Sequence, residues 1–222
     1  MTTASHSWLR HDWVGTASDF HSKDLPAERA LWLCSAEKPA LILGSTQDES
    51  DVRVDVAVGS GIEIVRRRSG GGAVYVAPDE SVWMDITISR EDPLWQDDVS
   101  ASMLWLGDAF VQALQPWVHA ETFRGTFHNG DVGRAVCFAS AAPGEVFVGD
   151  NKLVGISQRR NREGARFQCV LYRQWNPLIW SSLLTSVDVQ EHVCNMQVAT
   201  IAAPARDIAD AVMAALAALT PA

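Results

Sequence analysis

Cysteine is scarce and unpaired in this sequence. The four cysteines, Cys34, Cys137, Cys169 and Cys194, never fall at the C-x-x-C spacing of a structural zinc site, so no metal centre is expected. A chain of 222 residues with 47% hydrophobic content can bury a full core and needs no disulfide framework. Reduced thiols, and hence the cytoplasm, are the default expectation. No apolar stretch approaches the ~20 residues of a membrane-spanning helix. The run from Met1 to Trp8 lacks a basic region followed by an apolar one, so no secretory leader is expected. Positive charge is also in deficit: 18 Lys and Arg face 27 Asp and Glu, for a formal net charge of −9 at pH 7. That balance argues against a general nucleic-acid binder and against a protein held on an anionic membrane. Repeats and low-complexity linkers are missing too, which points to a single domain over residues 1–222.

What is present is a mixture of strand and helix signals. Residues 1–22 read as an extended lead-in. Asp24 to Leu33 carries helix-start chemistry, with Pro26 in the first turn and Glu28 at the positive end of the dipole. Ala40 to Gly44 reads as a buried strand, and Val52 to Gly61 alternates as a strand does. Ile62 to Arg67, a glycine turn and Val82 to Ser89 predict a meander. Val99 to Leu114 repeats Met103, Leu106, Phe110 and Leu114 at helical spacing. Gly149-Asp150-Asn151 is a hairpin signal between two strands, and Asn161 to Gly164 turns into a further strand over Arg166 to Tyr172. Asn176 to Leu184 and Pro204 to Leu219 predict helices. The sum is an α+β fold: a mainly antiparallel mixed sheet with helices packed on one side of it.

Against the acidic background, Arg66-Arg67-Arg68-Ser69-Gly70-Gly71-Gly72-Ala73-Val74 stands out. Three glycines permit positive φ and let a ligand lie on the peptide units, while the arginines offer fork-shaped donors to carboxylate or phosphate. A second stretch, Lys152 to Arg160, follows the predicted hairpin. Together the two resemble the lipoate–protein ligase and octanoyltransferase family, whose catalytic domain is shared with biotin ligases. The matching positions are Arg67, Arg68, Ser69, Gly70, Gly71, Gly72 and Val74, then Lys152, Gly155, Ile156, Ser157, Gln158 and Arg159.

The resemblance implies a biotin/lipoate ligase-like catalytic domain, with a short helix rather than a strand over Val52 to Gly61. It implies that Lys152 serves the carbonyl of an acyl group and that the glycine loop, Ala73 included, lines the acyl site with Gly155, Ile156 and Ser157. Asp85, on one strand face with Trp83 and Thr87, is a candidate pocket acid. Cys137 lies fifteen residues before Lys152, with a short loop and Glu145 between. That order is similar to the branch of the family in which a cysteine takes the acyl group as a thioester. The expected reaction is transfer of an octanoyl or lipoyl group to a lysine of a lipoyl-carrier domain. The donor would be an acyl carrier protein or an acylated carrier domain, with no cofactor required. The competing reading is an ATP-dependent ligase that forms a lipoyl-adenylate and needs ATP and magnesium. The Asn-Asp pair of that branch is missing here, as are the family's His-Asp after the glycine loop and His-Gly in the later strand, where Phe167-Gln168 stand. Those departures also leave open a non-catalytic acyl-binding or scaffold protein. Cys194, beside His192, is the reserve nucleophile.

Overall fold

The computed structural model describes residues 7–219. In chain order they form β1 (Leu9–Gly15), α1 (Ala17–Ser22), β2 (Ala30–Ala36), β3 (Ala40–Leu43), α2 (Val54–Gly59), β4 (Glu63–Arg66), β5 (Val74–Val76) and β6 (Ser81–Ser89). There follow α3 (Leu104–Leu114), β7 (Glu121–Thr122), β8 (Val146–Val148), β9 (Asn151–Arg160), β10 (Gly164–Tyr172), α4 (Pro177–Ser182), α5 (Val187–Asn195) and α6 (Ala205–Ala218). Among the described residues no helix is long and apolar enough to cross a membrane.

Seven strands make a large sheet in the order β1-β2-β6-β10-β9-β8-β7, antiparallel throughout except between β1 and β2. A small sheet in the order β4-β3-β5 pairs β3 in parallel with β4 and antiparallel with β5. Strand periodicity sorts the side chains. Along β6, Val82, Met84, Ile86 and Ile88 share a core with Leu106 and Phe110 of α3 and Ile208 and Val212 of α6. The alternate residue Trp83 turns to the other face, where it packs with Phe20 of α1 and with Ile42, Val65 and Val74 of the small sheet. Beyond the small sheet, Leu41 and Leu43 pack with Ala57 of α2, Trp180 of α4 and Val193 of α5. Each fully buried Leu, Ile or Phe in these layers contributes about 1.5–3 kcal/mol.

The α+β class and the mainly antiparallel sheet agree with the sequence reading, as do the short helix at α2 and the hairpin of β8 and β9. Four expectations are corrected. Asp24 to Leu33 is no helix: its second half enters β2, which lies between β1 and β6 and buries Leu31 and Leu33. The lead-in contains α1 as well as β1; Thr16 caps α1 by accepting from the Asp19 N–H at 3.1 Å. Helices cover both sides of the large sheet, because the small sheet carries its own. The glycine turn joins β4 to β5, the two neighbours of β3, and β6 belongs to the other sheet, so no meander forms.

Candidate active site

The glycine loop crosses the end of β3 and meets the segment that carries Cys137. Ala73 N–H donates to the Ala135 carbonyl at 2.9 Å, and Cys137 N–H donates to the Ala73 carbonyl at 3.0 Å. A side chain at position 72 would place its Cβ 2.6 Å from the Gly133 carbonyl oxygen and 2.8 Å from the Cys137 nitrogen. Gly72 thus admits the protein's own backbone. Gly71 has φ +97° and lies under a guanidinium nitrogen of Arg67, so a valine there would strain the loop as well as fill space. Gly70 and Gly71 are both exposed, and Gly70 has open space around it.

Arg67 fastens this loop. Its guanidinium is buried and donates to the carbonyls of Gly70 at 2.8 Å, Gly72 at 2.9 Å and Ile42 at 3.4 Å. Burial pulls its pKa down, and the side chain of Cys137, next to it, pulls the other way. Arg67 and Cys137 line a narrow slot with Val74, Gly155 and Ser157, closed on the far side by His21, Trp83, Gln168, Ile42 and Val170. The slot holds about 20 Å³ of free space. It lies between the two sheets, with Gly155 and Ser157 projecting from β9 and Gln168 and Val170 from β10.

Lys152 opens β9 and is fully buried. Its ammonium donates to a Glu145 carboxylate oxygen at 2.7 Å and to the backbone carbonyl of Cys137 at 2.8 Å. Glu145 also accepts from the Ala142 and Ile156 N–H groups at 2.8 and 3.2 Å. Burial pushes the Glu145 carboxyl up, opposed by Lys152. The charge beside Lys152 is thus a glutamate, and the lysine ties the turn that begins at Cys137 to the second strand of the hairpin.

A chain of neutral groups forms one wall of the slot. Ser69 Oγ donates to Gln168 Oε1 at 2.6 Å and lies 3.1 Å from Ser157 Oγ; Gln168 Nε2 lies 3.1 Å from His21 Nδ1. His21 stacks on Trp83, whose indole N–H donates to Asp85 at 2.7 Å; Arg166 donates to the second Asp85 oxygen. Burial drives the His21 pKa to about 3, helped by the Arg166 and Arg67 charges. A base held neutral by the fold binds its proton more readily when unfolded. Stability from this group is therefore intact above pH 6.5 and lost as pH falls from 6.5 toward 3, by about 1.4 kcal/mol per unit. In urea titrations the protein should lose about 2 kcal/mol more than His21→Phe between pH 7 and pH 5. Equal losses in the two proteins would mean that His21 is charged in the native state.

Residues 16–217 match the profile of the lipoyl protein ligase A/B catalytic domain. The chain belongs to that family. None of the curated proteins matches the sequence significantly. Among solved structures, protein Ta0514 of T. acidophilum with bound lipoic acid superposes with a TM-score of 0.70 at 15% identity, covering 94% of this chain and 83% of that one. A lipoate-protein ligase A bound with ATP gives 0.67 at 17% identity, covering 94% and 83%. P. falciparum LipL1 in complex with lipoate gives 0.60 at 14%, covering 94% and 60%. These likenesses show a shared lipoate-ligase fold.

In this lipoyl-ligase domain the slot gathers Arg67, Val74, Cys137, Gly155 and Ser157, with Ser69 behind it. It does not gather every residue the sequence singled out. Ile156 turns into the core under α3, and only its N–H reaches Glu145. Ala73 packs on the outer side of the small sheet. Asp85 is fully buried below Trp83, and burial pushes its carboxyl up against the pull of Arg166. Arg68 points out to a groove of about 490 Å³, where it pairs with Asp24 at 2.9 Å among Lys23, Arg159, Arg162 and Arg166. Arg159 and Arg166 continue the faces of β9 and β10 that carry Ser157 and Gln168, so this cationic groove runs on from the slot. Cys194 is exposed on α5 and forms no part of the slot wall. Cys34 and Cys169 are buried, and burial pushes both thiols well above their usual range. Sequence reasoning missed His21, a lone histidine in a six-residue helix with no spacing signal around it.

Proposed function

We propose that the protein transfers an octanoyl or lipoyl group to a lysine of a lipoyl-carrier domain through a thioester on Cys137. The observation that carries this reading is the placement of Cys137: its thiol meets the buried Arg67 guanidinium inside the slot, while its backbone is clamped by Ala73 on one side and Lys152 on the other. A fixed positive charge beside a thiol favours the nucleophilic thiolate. Lys152 holds the cysteine turn in register through the Cys137 carbonyl, its own charge being met by Glu145. The apolar side of the slot, formed by Ile42, Val74, Trp83 and Val170, suits an alkyl chain. Outside, the arginines of the groove suit the acidic surface of a carrier domain or the phosphate of a phosphopantetheine arm.

A donor that is already a thioester needs no further activation, so transfer proceeds without nucleotide. Incubation with an octanoylated acyl carrier protein and a lipoyl domain tests this: octanoyl-lysine should accumulate without ATP or magnesium. Modification that starts only when both are added, with free octanoate or lipoate as the acyl source, makes the protein an ATP-dependent ligase instead.

A further inference from the structure

Several buried nitrogens have no hydrogen-bond partner among the described residues, and two of them belong to residues that line the slot: Arg67 Nε and His21 Nε2. The others are ring nitrogens of residues outside its wall. Arg67 spends its terminal nitrogens on the loop carbonyls and leaves Nε–H free. For His21 the hydrogen-bond chain settles which nitrogen carries the proton. Ser69 Oγ–H donates to Gln168 Oε1, which turns the Gln168 amide nitrogen toward His21. That nitrogen can only donate, so His21 Nδ1 accepts and the proton of the neutral ring sits on Nε2. Both residues are more than nine-tenths buried, at 3% and 7% exposure. Leaving one such donor unpaired costs roughly 1–3 kcal/mol. Two in one slot, beside a thiol, mark a place where an acceptor belongs. The free space of about 20 Å³ admits one oxygen-sized group.

We infer that Arg67 Nε–H and His21 Nε2–H form an oxyanion site for the acyl group carried by Cys137. This rests on the thioester reading above and adds the donors that reading needs, since the Lys152 ammonium is already held by Glu145 and the Cys137 carbonyl. In the first step the Cys137 thiolate attacks the carbonyl carbon of the donor thioester, a new C–S bond forms and the carbonyl π pair moves onto oxygen. The two donors receive that charge. Its return breaks the C–S bond to the carrier, whose thiolate takes up the proton that Cys137 released. In the second step the acceptor amine adds to the same carbon, the oxyanion occupies the same site, and the Cys137 thiolate leaves and is reprotonated by the amine. A neutral imidazole suits this role: it donates without yielding its proton, whereas as a general base it would be too weak. Ser69 and Gln168 are positioning residues that fix its tautomer.

The experiment is acylation of the full-length protein with octanoyl thioester labelled with 13C at the carbonyl, read by rapid-mixing mass spectrometry and by isotope-edited infrared spectroscopy. In the wild type the carbonyl band of the acyl-enzyme should lie at lower wavenumber than that of the free thioester, because both donors hold the oxygen. His21→Phe keeps the stacking on Trp83 and removes one donor. It should acylate about a hundredfold more slowly, and its band should move toward the free position. A wild-type band at the free-thioester position overturns the inference whether or not the variant folds. So does a folded His21→Phe that acylates within about threefold of wild type. Failure of the parent reading looks different: wild type then forms no Cys137 adduct at all.

Discussion

Cys137→Ser should lose acyl transfer by at least about a thousandfold, since removal of a covalent nucleophile costs up to about 10⁶ in turnover. The fold should survive. Cys137 is a small buried residue that begins a 3-10 turn, and the contacts that hold it are made by its backbone: its N–H to Ala73 and its carbonyl to Lys152 and Ser140. A serine keeps those bonds and changes one atom. What it cannot keep is thiolate chemistry, because a hydroxyl beside a guanidinium remains protonated and the thioester becomes an ester that the acceptor amine attacks poorly. Thermal melting beside the transfer assay separates the two effects. A serine variant that melts like wild type and turns over at a comparable rate would remove Cys137 from the mechanism. A loss confined to Cys194 variants would move the nucleophile to α5.

Lys152→Ala should be the most destabilising single change on the site. It strands the Glu145 carboxylate in a fully buried position, and breaking a buried pair from one side costs about 3–5 kcal/mol. It also frees the Cys137 carbonyl and loosens the turn. Loss of activity in that variant would say little about chemistry on its own. The informative protein is the double variant Lys152→Met with Glu145→Gln, which retains the volume and one of the two acceptor oxygens that serve the Ala142 and Ile156 N–H groups, without burying a charge. Its urea unfolding free energy should return to within about 1–2 kcal/mol of wild type. Acyl transfer should remain reduced, because the Cys137 carbonyl has lost the ammonium that holds its turn. If the double variant regains full activity, the hold of Lys152 on that carbonyl is not needed for transfer. If Lys152→Ala is as stable as wild type, the ion pair does not hold the turn.

The parts of this molecule that were legible in the sequence are those with local chemistry. Gly149-Asp150-Asn151 makes a tight turn whatever surrounds it, and the apolar runs on either side of it pair as strands. The two motifs brought Arg67 and Ser69 to Ser157 although some ninety residues separate them, and Cys137 was found from its spacing to Lys152. Asp24 to Leu33 failed because Pro26 and Glu28 are locally right for a helix start, while pairing with β1 and β6 wins over propensity. Helix α5 left little trace: its nine residues are largely polar and only Val193 is fully buried. The surroundings of Lys152 were hidden for a related reason. A lysine after a turn reads as solvated or as reaching for substrate, and nothing local shows that Glu145, seven residues earlier, closes over it. His21 owes its place to tertiary structure alone, through Trp83 beneath it and Gln168 at its edge.

The central claim is that the acyl group rests on Cys137 between donor and acceptor. A single-turnover chase tests it most directly: load the protein with an octanoyl donor in the absence of ATP, remove the donor, add lipoyl domain, and follow both proteins by intact mass and peptide mapping. One octanoyl mass on the Cys137 peptide, labile to hydroxylamine and decaying at the rate at which the domain lysine gains it, is the predicted result. An unmodified Cys137 peptide, with octanoyl-lysine formed only once ATP and magnesium are supplied, would contradict it.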